Sequence, residues 1–415
     1  MRMTEAAAQG AHDTSADRQG TVDRLRIAHF ALGRTNPEAA DGIDKTVYHL
    51  ARTQAALGHR VRLFSITNKD PIPIPGVQVS VYRSVEPPAI LVTPRLRDLL
   101  AWRSPLNLPR RLMTDLSDWH PDVLHLHGVH ILQHLRLARH ARRHRIPYCV
   151  TVHGMLSPDA ESRHPWLKRA AATFERPFLD RAAFLHALTE GEREDLRVYG
   201  TTAAIVVAPN GIDLDPLPVA REPSPTEIGS PLEFLFVGRL DPRQKGLDFL
   251  LEGFARSDLA PATLSVVGPD WRDAQAELEA TARRLGVADR VRFHGRAVGA
   301  RKAELLAGSA LFVHPSRWEG MAFAVLEAAA VGKPLLLTAA ADPRGEFGRA
   351  GAAIVVAPTA TAVADGLQRF ARMTAAQRLD MGARARAVVE DHFTWPVAAR
   401  AVLQAYRHHR PAGRT

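Results

Sequence analysis

The chain has 415 residues and a formal net charge of +10, long enough for two domains of ordinary size. No apolar run reaches the ~20 residues that a membrane-spanning helix needs. The single cysteine, Cys149, excludes an internal disulfide and fits a reducing, cytoplasmic setting. Aromatic residues are only 6% of the chain and no nucleic-acid-binding module is present, so nucleic acid is not an expected partner.

Residues 1–23 are polar and alanine-rich, without the apolar stretch of a secretory signal, and are expected to form a disordered tail. From residue 24 onward, short apolar runs alternate with amphipathic segments. Ile27–Ala31 predicts a first strand. Asp41-Gly42-Ile43-Asp44-Lys45 precedes a helix through Tyr48, Ala51 and Leu57 that stops at Gly58-His59. Val61–Ile66, Val77–Tyr82 and the run 122–128 follow as strands, and a basic helix leads to Ile146. Tyr148–Val152 is a fifth strand, ending at His153-Gly154, and the runs 184–189 and 205–208 complete the set. Such alternation predicts an α/β domain with a doubly wound parallel sheet and right-handed crossovers.

A stretch rich in Pro, Asp and Ser, ending near Ser230, reads as a connector. The alternation then resumes with strands at 233–237, 263–267, 290–293, 310–314, 334–338 and 353–356. A charged helix follows at 376–390 and a last helix from about residue 396. The expected division is a first Rossmann-like domain at 24–212, a linker at 213–230, a second Rossmann-like domain at 231–392 and a terminal helix at 393–410. Ligands of such sheets bind beyond the carboxyl ends of the strands. Two such domains facing each other place the ligands in the cleft between them.

Two blocks in the second half carry the chemistry. The strand Phe234–Val237 runs into Gly238-Arg239, and Lys245-Gly246 then opens a helix with Leu247, Leu250, Leu251 and Phe254 on one face. An Arg fork and a Lys point charge around one strand-to-helix loop suit a diphosphate without a metal. A cation at a helix N-terminus opposes the macrodipole, so Lys245 calls for an anion. The second block places Glu319 and Glu327 eight positions apart, Glu319 at a strand-to-helix turn and Glu327 about two turns into the helix. The amides of Gly320, Met321, Ala322 and Phe323 lie at the helix start, where phosphate is attracted. Carboxylates near them would accept from sugar hydroxyls, so the pair suits a nucleotide bearing a sugar.

With Asn210-Gly211-Ile212-Asp213 and His153-Gly154, these blocks resemble the retaining GT-B glycosyltransferases of family 4. The resemblance implies two Rossmann-like domains facing a central cleft, and a last helix that crosses back to the first domain. It implies that Arg239 and Lys245, beside Gly238, hold the donor diphosphate, and that Glu327 accepts from the ribose. It places Glu319 and His153 at the reaction centre and Asn210 against the donor. The family often has Phe-Gly after Glu-Gly; here Met321-Ala322 stands instead. Expected partners are a nucleotide sugar donor and a saccharide or lipid-linked acceptor. No cofactor or metal is expected. The implied setting is cell-surface or exopolysaccharide assembly in the cytoplasm.

Gly42 is open to two readings, a plain helix start capped by Asp41 or a close approach to phosphate or acceptor. His125, His127 and His130 hint at a metal, but no nearby Cys or carboxylate completes a tetrahedral set; His127 could face the acceptor. Asp213-Leu214-Asp215 resembles a metal-binding pair but lies in the connector. Two arginine-rich segments, 95–111 and 134–145, read either as solvated helix faces or as contacts to an anionic inner membrane leaflet. Two rival functions fit the sequence less well. A non-catalytic homologue acting as a partner subunit conflicts with the intact Arg239, Lys245, Glu319 and Glu327. A Rossmann oxidoreductase conflicts with the missing Gly-x-Gly-x-x-Gly.

Overall fold

The computed structural model describes residues 24–37, 42–83, 108–156, 165–214 and 231–409. The expected tail, most of the connector and most of segment 95–111 lie outside them.

The first half forms a seven-stranded sheet from β1 (Arg26–Leu32), β2 (Arg60–Ile66), β3 (Val77–Tyr82), β4 (Val123–His127), β5 (Tyr148–Thr151), β6 (Phe184–Ala187) and β7 (Ile205–Val207). Its order is β3-β2-β1-β4-β5-β6-β7 and every pairing is parallel. The second half forms a six-stranded sheet from β8 (Glu233–Val237), β9 (Thr263–Val267), β10 (Val291–Phe293), β11 (Leu311–His314), β12 (Leu335–Thr338) and β13 (Ala353–Val356). Its order is β10-β9-β8-β11-β12-β13, again all parallel. Both sheets reverse direction beside their first strand, between β1 and β4 and between β8 and β11. Those switch points open the crevices where ligands of such sheets sit.

The central strands are near-continuous apolar runs because helices cover both faces of each sheet, whereas the edge strands β3 and β7 are only partly buried. Phe30, Leu124, Leu126 and Val150 are sealed in the first core; Phe234, Phe236, Leu264 and Val313 are sealed in the second. In the first half the helices are α1 (Gly42–Ala56), α2 (Arg110–Trp119), α3 (Leu132–Arg143), α4 (Pro165–Leu179) and α5 (Glu190–Tyr199). The second half has α6 (Leu247–Arg256), α7 (Ala274–Arg284), α8 (Gly299–Gly308), α9 (Phe323–Val331), α10 (Glu346–Arg349), α11 (Ala360–Ala371) and α12 (Ala375–His392). In the basic helix α3, Leu137, Ala138 and Ala141 are buried while Arg139, Arg142 and Arg143 face solvent. No helix among the described residues is long and apolar enough to cross a membrane.

The last helix, α13 (Trp395–His408), packs on the first sheet. Its Trp395, Ala399, Val402 and Tyr406 share a core with Leu25, Ile27, Leu50 and Ala51. The chain therefore passes between the halves twice, near residue 212 and near residue 394. The two passages touch. The Ile212 N–H donates to the Phe393 carbonyl at 2.7 Å, and a Cβ at Gly211 would lie 2.2 Å from the Trp395 nitrogen. The Asp213 carboxylate meets Arg52 at 2.6 Å and His49 at 3.2 Å, and Asp215 lies outside the described residues.

Candidate active site

The two blocks of the second half meet through a glycine. Gly246 has φ +63°, and a Cβ there would lie 2.1 Å from the Pro315 carbonyl oxygen. Only glycine permits both the left-handed backbone and this approach. The contact draws the start of α6 against the loop after β11, and Lys245 Nζ reaches Glu319 Oε1 at 2.6 Å. Arg239 lies on the same side of β8. Its Nη2 donates to Gln244 Oε1 at 2.7 Å, and its guanidinium stacks over Trp271 at 4.1 Å. Its buried Nε has no partner among the described residues. A side chain at Gly238 would collide with Phe236, its Cβ lying 2.8 Å from the ring.

Glu319 is deeply set. Its Oε1 accepts from Lys245, from Ser316 Oγ at 2.6 Å and from His314 Nε2 at 3.0 Å. Burial alone would raise its pKa, but the Lys245 charge and the His314 contact hold it well below the usual carboxylate range. The anion that Lys245 calls for is therefore present within the protein. His314, at the end of β11, is a site residue that pattern reading passed over as the tail of an apolar strand.

Helix α9 begins at Phe323, with Ala322 as an N-cap that offers no side-chain bond. Glu327 accordingly sits a little over one turn inside the helix, not two, because Gly320, Met321 and Ala322 remain in the loop. Glu327 is not solvated. Lys302 contacts its Oε1 at 2.7 Å, and Lys45 of α1 approaches the same oxygen at 3.7 Å. Lys45 also lies over the Phe323 ring at 5.4 Å.

The first half supplies the facing wall. Gly42, at the start of α1, lies against Phe323, whose ring is 3.6 Å from where its Cβ would be. Asn210 is buried in the seam, where its N–H meets Met321 Sδ at 3.1 Å and its Oδ1 accepts from Thr46 at 3.1 Å. His153 follows β5 in a left-handed conformation, φ 53°, uncommon for a side-chain-bearing residue and costly unless held by its surroundings. Next to it, a Cβ on Gly154 would lie 3.2 Å from the Gly320 Cα. Gly42, Asn210 and Gly154 are thus brought against the loop and start of α9 along one seam, whereas His127 does not face that seam: it is buried behind His153 with both ring nitrogens engaged.

Behind that contact stands Glu192 of α5, which reading the sequence missed. Glu192 is 3% exposed, its Oε2 accepts from the Leu188 N–H at 2.7 Å, and its Oε1 is buried without a partner among the described residues. A Cβ on Gly320 would lie 3.1 Å from that Oε1. Burial pushes the Glu192 carboxyl up to about 7. In the sequence it stands in Glu190-Gly-Glu-Arg-Glu-Asp195, which reads as a solvated helix start.

His125 and His127 do share a strand face, and His29 of β1 joins them, so that ligand-type atoms of the three lie within 4.8 Å of one another. These nitrogens are engaged in hydrogen bonds to one another and to Gln54, Tyr406, Thr151 and His153. His130 turns away to Glu175, 2.8 Å from its carboxylate.

This geometry has known counterparts. Residues 41–211 match the glycosyl transferase 4-like domain, and residues 231–372 match glycosyl transferases group 1. A glycogen synthase of Mycobacterium tuberculosis is 30% identical over 408 residues, spanning 89% of this chain and 92% of the relative. A D-inositol 3-phosphate glycosyltransferase of Frankia alni is 30% identical over 403 residues, 89% of this chain and 95% of the relative. Among solved structures, sucrose-phosphate synthase from Thermosynechococcus elongatus superposes with a TM-score of 0.72 at 20% identity, over 94% of this chain and 100% of that one. Anabaena HepE in complex with UDP and glucose superposes with a TM-score of 0.69 at 18% identity, over 93% of this chain and 100% of that one. Two facing parallel-sheet domains, the strand-loop-helix blocks and these relatives together place the chain among the GT-B glycosyltransferases, built from a glycosyl transferase 4-like domain and a glycosyl transferases group 1 domain.

Proposed function

We propose that this glycosyltransferase moves a sugar from a nucleotide diphosphate donor to a saccharide or lipid-linked acceptor, with retention at the anomeric carbon and without a metal. The observation that carries the reading is the clasp of Lys245 and Glu319 beneath the uncapped start of α9, with Arg239 beside it. In this reading Arg239, Lys245 and the loop amides of Gly320–Phe323 receive the diphosphate as its charge grows. Glu319, kept ionised by its three donors, fixes Lys245 and faces the transferred sugar. Glu327 accepts from the ribose, exchanging its lysine partners for hydroxyls. No side chain is assigned as a covalent nucleophile. The acceptor attacks from the face the diphosphate leaves, and the leaving phosphate takes its proton, by analogy with similar enzymes.

Anabaena HepE, similar in fold, is known in complex with UDP and with UDP-glucose, which makes UDP-glucose the first donor to test. A panel of nucleotide sugars, scored by thermal stabilisation and by slow hydrolysis, tests the reading. Stabilisation and hydrolysis by one donor support it. Stabilisation without turnover across acceptors would instead favour the non-catalytic partner subunit. The setting we propose is cell-surface or exopolysaccharide assembly at the inner face of the cytoplasmic membrane, on the strength of the mixed leucine and arginine segment 95–111.

A further inference from the structure

Five histidines of the first sheet, His29, His125, His127, His153 and His186, belong to one continuous chain of hydrogen bonds, and an acceptor-only group fixes its direction. Strand register puts them on one face: His29 lies opposite His125, and Thr151 lies opposite both His127 and His186. At one end, the Ala208 carbonyl meets His186 Nε2 at 2.8 Å. A carbonyl only accepts, so the His186 proton is on Nε2 and its Nδ1 is bare. That Nδ1 accepts from the Thr151 hydroxyl at 2.8 Å, and Thr151 Oγ1 in turn accepts from His125 Nε2 at 2.6 Å. His125 Nδ1 is then bare and accepts from the Tyr406 hydroxyl at 2.6 Å. Tyr406 Oη accepts from the Gln54 amide at 3.4 Å, which points Gln54 Oε1 at His29 Nε2, 2.8 Å away. His29 Nδ1 accepts from His127 Nε2 at 3.0 Å, and His127 Nδ1 accepts from His153 Nε2 at 3.2 Å.

Each link leaves one choice for the next, provided the rings are neutral. Burial supports that. His29, His125, His127 and His186 are at most 2% exposed, and desolvation holds all five rings below the ordinary 6.5. His153, at the far end, is the only partly exposed ring of the five.

We infer that Tyr406, Gln54, His29 and His127 are positioning residues that lock His153 as its Nε2–H tautomer, so that it presents a bare Nδ1 to the cleft. A bare nitrogen accepts a hydrogen bond and has none to give. His153 is therefore built to take a hydroxyl of a bound sugar, and it is the wrong partner for a phosphate oxygen. The identity of that hydroxyl group rests on the proposed glycosyl transfer; the tautomer does not. Gln54 is the hinge of the device. If its amide turned over, His29, His127 and His153 would all reverse and His153 would offer Nδ1–H instead. Tyr406, carried on the helix that returns from the second half, prevents this because it needs the Gln54 N–H.

Two-bond proton–nitrogen correlation spectra of the full chain, labelled with nitrogen-15 histidine, test the inference without any substrate. The wild type should show His29, His125, His127, His153 and His186 as neutral Nε2–H rings. The His153 pattern should be unchanged by added pyrophosphate. Tyr406→Phe should leave His186 in place, anchored on Ala208, while the His29, His127 and His153 signals move to averaged values between the two tautomers. Circular dichroism checks that this variant is folded; should it not fold, the wild-type spectrum alone decides. An Nδ1–H or doubly protonated His153 in the wild type, protonation of His153 by pyrophosphate, or an unmoved His153 in folded Tyr406→Phe would each overturn the inference. None of these outcomes depends on whether the protein transfers a sugar.

Discussion

Replacing Glu192 by Gln should stabilise the protein above neutral pH and do little in mild acid. The native carboxyl is raised from 4.5 to about 7 because burial strips it of water, with a smaller push from the nearby Asp195 charge. Between those values the folded chain holds a proton that the unfolded chain has released. Stability therefore falls as pH rises through the window, the reverse of a salt-bridged carboxylate. A rise from 4.5 to about 7 corresponds to about 3 kcal/mol lost once pH exceeds the native value. Gln keeps the shape and cannot ionise, so it escapes this loss. The buried histidines work in the opposite sense, since their lowered pKa values make stability fall as the solution is acidified below 6.5. The raw pH profile mixes the two effects, and the difference between variant and wild type isolates Glu192. Urea unfolding at about pH 5, 6, 7 and 8, followed by tryptophan fluorescence, should show that difference widening by about 3 kcal/mol across the series. A difference that does not change with pH would refute the reasoning, because it would mean that Glu192 does not titrate differently in the two states.

Arg239→Ala and Lys245→Ala should each lower the transfer rate by about two to three orders of magnitude with the fold retained; full turnover in both would remove them from the site. Glu327→Gln should raise the donor KM, whereas Glu319→Gln should mainly lower kcat; steady-state kinetics on each separates the ribose role from the role at the sugar. Excess chelator should leave the rate unchanged, and a rate that collapses and returns with manganese or magnesium would require a metal in the mechanism. Full-length protein should co-sediment with anionic vesicles and lose that binding with salt and with charge reversal at Arg95, Arg97, Arg110 and Arg111. Equal sedimentation of wild type and reversed variant would favour a soluble acceptor.

Most strands were legible as short apolar runs, Glu233–Val237 and Ala353–Val356 among them, and the edge strand Val77–Tyr82 by its alternation of apolar and polar residues. The two strand-to-helix blocks stood out because glycine and charge cluster there at a turn, and the fold does bring them into contact through Lys245 and Glu319. What stayed hidden depends on contacts between residues far apart in the chain. Lys45 is one lysine at a helix start until the fold brings Glu327 to it from the other sheet. His29 sits inside an apolar strand, and no local spacing links it to His127, its hydrogen-bond partner across the switch point. Glu192 reads as one charge among several on a solvated turn, and only packing reveals that its side chain points inward. The start of α9 came later than expected because Gly320, Met321 and Ala322 stay outside the helix, which shortens the depth of Glu327.

The paired passage of the chain near residues 212 and 394 has a mechanical consequence. A single tether would leave the two sheets free to twist, tilt and swivel about a point. Two passages held side by side by the Ile212–Phe393 bond and by the close approach of Gly211 to Trp395 define a line instead. Relative motion is then reduced to a swing about that line, like a door on two pins. A side chain at Gly211 would meet the Trp395 nitrogen at 2.2 Å and force the two passages apart, which would loosen that line.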